Sequence, residues 1–107
     1  MAPTELEQPP LYSSLSLQPV LCEMVELFVA EMPARVGRMQ AYFDGGDWDG
    51  LRRAAHQIRG VAASYGFDVL VPYAARLERS LSGNPDRERT REALAELVGQ
   101  CRRVSTR

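Results

Sequence analysis

Residues 19–46, PVLCEMVELFVAEMPARVGRMQAYFDGG, carry the strongest periodic signal in the chain. Leu21, Met24, Val25, Phe28, Met32, Val36, Met39 and Phe43 recur at the intervals of one helix face over about six turns. Pro33 falls inside the pattern. An interior proline removes one backbone hydrogen bond and costs about 3 kcal/mol, so the spacing predicts a kinked helix or two abutting ones. Gly45-Gly46 ends the segment. Met24, Met32 and Met39 read as core side chains rather than as a binding groove.

Downstream, Asp47 is placed to cap a second helix, with Asp49 in its first turn where negative charge suits the helix dipole. That helix runs to about Tyr65, and Gly66 is a natural stop. Asp68 is read as the next cap, ahead of a stripe of Leu70, Tyr73, Ala74, Leu77 and Leu81, with Pro72 near the first turn. Ser82-Gly83-Asn84-Pro85 reads as a turn, Asn84 capping a last helix that carries Leu94, Leu97, Val98 and Cys101. Upstream, residues 1–10 hold three prolines and few large apolar groups, which predicts a flexible N-terminal arm. Leu11, Tyr12, Leu15 and Leu17 suggest a short docked helix or turn. The expectation is an all-α antiparallel four-helix bundle over residues 11–105 with that short N-terminal addition.

A chain of 107 residues that is 45% hydrophobic supports one core. The formal net charge of -1 excludes the overall basic field that holds proteins on nucleic acid or anionic membranes. All 13 basic residues are arginine, so no lysine is present to act as base or Schiff-base former. Cys22 and Cys101 are far apart and make no metal-ligand spacing with the single histidine, so no metal site is expected and both read as core fillers. No apolar run is long enough to span a bilayer, and the start MAPTELEQPP is unlike a secretory signal. A cytoplasmic protein with reduced thiols is expected. The self-contained length and starting methionine favour a chain that works alone, and a monomer is expected.

The lone histidine, His56, gains meaning from the helical wheel. With His56 at zero, Leu51, Ala54, Ile58, Val61, Ala62 and Tyr65 fall between about 140° and 240°. His56 then points away from the core. Within about 60° of it lie Asp49, Arg52, Arg53, Arg59, Gly60 and Ala63. An exposed, mostly neutral imidazole is a nucleophile at cellular pH. Gly60 and Ala63 leave no side chain to block an approaching partner, although glycine costs about 1 kcal/mol of helical propensity. Arg52, Arg53 and Arg59 have the chemistry to bond phosphate oxygens or acidic groups of a partner, while the plainer reading makes them a solvated face.

The segment Ala55–Phe67, AHQIRGVAASYGF, resembles the signature of the histidine-containing phosphotransfer (HPt) family, AHxLKG followed by small residues and a glycine. The flanks VELFVAEMPARV, GGDWDGLRRA and Leu77-Glu78 extend the resemblance over roughly residues 10–105. It implies a four-helix bundle in a two-component phosphorelay. His56 accepts a phosphoryl group from a receiver-domain aspartate or a kinase and passes it to a response-regulator aspartate. Arg59, Gly60, Ala63, Arg52, Arg53 and Gln57 would support phosphate or docking. The partners implied are receiver domains of response regulators and a sensor or hybrid histidine kinase. The resemblance assigns Mg²⁺ to the receiver, so the chain needs no cofactor and is a phosphocarrier rather than an enzyme. Arg59 stands where the family usually has lysine, and Ala63 where glycine is frequent. The competing reading is a docking or inhibitory module on the same fold that binds a kinase or receiver domain without using His56.

Overall fold

The computed structural model describes residues 9–14 and 19–105, with side chains from residue 22 onward in the second stretch. Its elements are β1 (Leu11–Tyr12), α1 (Pro19–Asp44), α2 (Trp48–Ser64), α3 (Leu70–Ser80), α4 (Arg87–Cys101) and β2 (Val104–Ser105). The described residues form a four-helix bundle in which each helix packs on the next and α4 returns to α1. Leu15, Leu17, most of the N-terminal arm and the side chain of Leu21 lie outside the described residues.

The core follows the predicted stripes. Val25, Phe28, Met32, Val36, Met39 and Phe43 from α1 are buried. They meet Leu51, Ala55, Ile58 and Ala62 of α2, Leu70, Ala74 and Leu77 of α3, and Leu94, Leu97, Val98 and Cys101 of α4. Phe28 packs edge-on to Tyr65, with ring centroids 6.0 Å apart, and against Phe67 at 5.2 Å. Met24 departs from the expectation. It is 49% exposed, because Val25 takes the inward position on that turn. Pro33 neither splits nor ends α1, which is one continuous element; only the Val29 carbonyl, one turn back, loses its usual helical donor.

Asp47 caps α2 as expected, its Oδ1 accepting from the Gly50 amide at 2.9 Å. Gly50 permits α1 and α2 to close there, since a Cβ on it would stand 2.7 Å from the Tyr42 ring. Gly66 ends α2 with φ of 82°, and the Phe67 amide bonds back to the Ala62 carbonyl at 2.8 Å. Two caps differ from the reading above. Val69, not Asp68, holds the N-cap position of α3, and no side chain caps it. Asp86, not Asn84, caps α4 by accepting from the Glu88 and Arg89 amides, so the turn extends through Pro85 and the carboxylate supplies the stronger, charge-assisted acceptor.

At the N-terminus Leu11 and Tyr12 form no helical turn. They pair in parallel with Val104 and Ser105. The Leu11 amide bonds the Arg103 carbonyl at 2.6 Å, Arg103 Nε bonds the Pro9 carbonyl at 3.0 Å, and the Ser14 amide bonds the Gly66 carbonyl at 2.9 Å. Extended backbone satisfies these groups across elements, which a lone turn does not.

Candidate functional site

The amphipathic character of α2 sets the site. Leu51, Ala55, Ile58 and Ala62 are fully buried, whereas Ala54, Val61 and Tyr65 are only partly so. The centre of the buried face is therefore rotated toward Ala55 by about 40° relative to the wheel drawn from the apolar pattern alone. His56 remains outside, its side chain 67% exposed, but it leans toward α3 instead of standing directly opposite the core.

That lean brings it to Glu78, a half-buried carboxylate on the α2 side of α3. Glu78 Oε2 lies 3.0 Å from His56 Nδ1, and Glu78 Oε1 accepts from Arg59 Nε at 2.5 Å. Arg59 Nη2 also stands 3.1 Å from Nδ1. Nδ1 cannot donate to the carboxylate and accept from the guanidinium at once. A carboxylate facing an imidazole lone pair would be repulsive, and Arg59 is already satisfied through Nε, so the contact with Glu78 assigns the proton to Nδ1. Nε2, the nitrogen remote from the backbone, then carries the free lone pair.

Asp49 organises the other two arginines. Arg52 Nη2 bonds Asp49 Oδ1 at 2.6 Å, and Arg53 Nη1 bonds Asp49 Oδ2. Each of the three arginines near His56 thus already has a carboxylate partner. These pairs are at least 40% exposed on the arginine side, where ion pairs are worth only about 0–1 kcal/mol. Exchange for an incoming anion is therefore inexpensive.

Arg52, Arg53, His56, Gln57 and Glu78 line one shallow cleft of about 320 Å³. Gly60 and Ala63 are exposed beyond it on the same helix, and a Cβ on Gly60 would meet nothing within 4 Å. All the residues singled out from sequence therefore share one face of α2. Glu78 is not among the site residues expected from sequence; its trace there is the Leu77-Glu78 pair of the family resemblance, which assigns it no role. Asp49 was seen near His56 but not as the anchor of two arginines. No group of three or more potential metal ligands occurs among the described residues, and no described helix is long and apolar enough to cross a membrane.

A family model described as Hpt domain matches residues 23–107, and the chain belongs to that family. The family's role is phosphotransfer in two-component signalling, with its members acting as phosphocarriers. Neither the curated proteins nor the solved structures contain a match.

Proposed function

We propose that His56 is the phosphoryl-accepting residue and that the chain relays phosphate between receiver aspartates, or from a kinase to a receiver. The observation that carries this is the contact between Glu78 Oε2 and His56 Nδ1 at 3.0 Å on an exposed ring; with the proton of the neutral ring on Nδ1, the lone pair is on Nε2. The Nε2 lone pair attacks the phosphorus of an aspartyl phosphate on the partner. The P–O bond to aspartate breaks, a P–N bond forms, and the aspartate leaves as a carboxylate. The ring, now substituted at Nε2 and protonated at Nδ1, carries positive charge that the Glu78 carboxylate balances. Transfer to the next receiver aspartate reverses these steps.

Arg59 sits beside the ring, positioned to exchange one bond to Glu78 for a phosphoryl oxygen. Arg52 and Arg53 border the cleft for docking, Gln57 lies among them, and Gly60 with Ala63 gives the receiver a flat approach. In this scheme Mg²⁺ belongs to the receiver, as the family resemblance implies. The partners are receiver domains of response regulators and a sensor or hybrid histidine kinase.

The test is transfer of label from a phosphorylated receiver. The expected product is an acid-labile, base-stable phosphate on the parent protein and none on His56→Gln. Undiminished labelling of His56→Gln would overturn the assignment. Absence of any labelling, with receiver binding intact, would favour the docking module.

A further inference from the structure

An open groove of about 540 Å³ runs along the seam between α1 and α4. Val29, Met32 and Val36 form its α1 wall, and Cys101 and Val104 face them from the C-terminal side. The cleft at His56 shares no lining residue with it.

Pro33 and Gly37, one turn apart, also line the groove. Both are poor helix residues, and neither serves close packing across the seam. A Cβ built on Gly37 meets nothing within 4 Å, so this glycine keeps space open instead of allowing contact. Pro33 removes the helical donor of the Val29 carbonyl, which puts an acceptor without its usual partner on the same wall.

The polar residues are few and grouped. Gln40 and Arg102 line the groove and also a second concavity of about 330 Å³ further along the same seam, whose other lining includes Asp44 and Arg91. The Arg102 guanidinium makes no ion pair among the described residues. An apolar trough of this size with a small number of polar groups at one side has the composition of a small-molecule site. One planar, unpaired guanidinium matches a single carboxylate.

We propose that this groove binds a small amphiphilic carboxylate. Its hydrocarbon body lies against the accessible lining residues Val29, Pro33 and Val104, and its carboxylate pairs with Arg102. The inference is independent of the role of His56.

The experiment uses the full chain, isotopically labelled, titrated with decanoate below its micelle concentration and followed by backbone amide NMR, with decanol as the uncharged comparison. Expected is saturable binding with shifts confined to the α1–α4 seam, at least about tenfold tighter for decanoate than for decanol. Gly37→Leu, which fills the groove at a position with room and improves helical propensity, should lose binding by about tenfold or more while keeping helix content. Arg102→Gln should bind decanoate no better than decanol. Scattered, non-saturating shifts, or parent-like binding by Gly37→Leu, would overturn the site. Equal affinity for decanoate and decanol would overturn the carboxylate assignment.

Discussion

Glu78 Oε2 lies 3.0 Å from His56 Nδ1, joining a half-buried carboxylate of α3 to an exposed imidazole of α2. Such a contact fixes both the ring's rotation and its tautomer, as carboxylates do for histidines at metal centres. Glu78→Ala should therefore lower the rate of phosphoryl transfer by about tenfold or more, and nitrogen NMR should show a larger share of the Nε2–H tautomer. An unchanged tautomer ratio would remove Glu78 from this role.

Arg59 shares that carboxylate from the same helix. Replacing it with alanine removes an ion pair that is 40% exposed on the arginine side, so stability should change by no more than about 1 kcal/mol. Transfer should fall nonetheless, because the phosphoryl oxygens lose their nearest guanidinium. Equal transfer rates in Arg59→Ala and the parent would exclude it from the site.

Gly60 separates access from stability. Its α-carbon faces open space, so Gly60→Leu should stabilise α2 by about 0.5–1 kcal/mol. The same leucine stands where a receiver must approach, and transfer should drop while thermal stability rises. A variant that gains stability and transfers at the parent rate would show that this face is not the approach.

Phe28 is scaffold. It is 1% exposed and touches the rings of Tyr65 and Phe67, so Phe28→Ala should cost about 3–5 kcal/mol in denaturant unfolding. A loss below about 1 kcal/mol would contradict the packing of α1 on the C-terminal end of α2.

Burial pushes the Cys101 thiol up from its ordinary value of 9.0 to about 12. A raised acid pKa means the folded state holds the proton more tightly. The associated stability is complete below pH 9 and is lost between about 9 and 12 as the unfolded thiol ionises first. Alkaline unfolding monitored by circular dichroism should be less steep over that interval in Cys101→Ala, after allowance for its lower starting stability. Thiol alkylation at neutral pH should reach Cys22 in the folded protein and Cys101 only on unfolding.

Much of this fold was legible because it rests on local patterns. The α1 stripe, the Asp47 cap and the Gly66 stop each depend on residues within a turn or two of one another, and a helical wheel sufficed to put His56 outside. Glu78 depends instead on the register between α2 and α3, which the apolar stripe of neither helix specifies. The same limit explains the wheel's offset, since Ala55 is buried by the position of α3 rather than by its own hydrophobicity. Asp86 displaced Asn84 because several adjacent residues were competent caps and only the path of the turn chose between them. The pairing of Leu11–Tyr12 with Val104–Ser105 was invisible for a simpler reason: two residues are too few to display a period of two.

That pairing has a topological consequence. Pro9 and Arg103 are in hydrogen-bond contact, so the described ends of the bundle are neighbours. A short linker between them, with new termini opened in the Gly45-Gly46 turn, would give a circular permutant that begins at α2 and ends with α1. The helices would keep their packing while their order along the chain changed, and His56 would then lie close to the N-terminus.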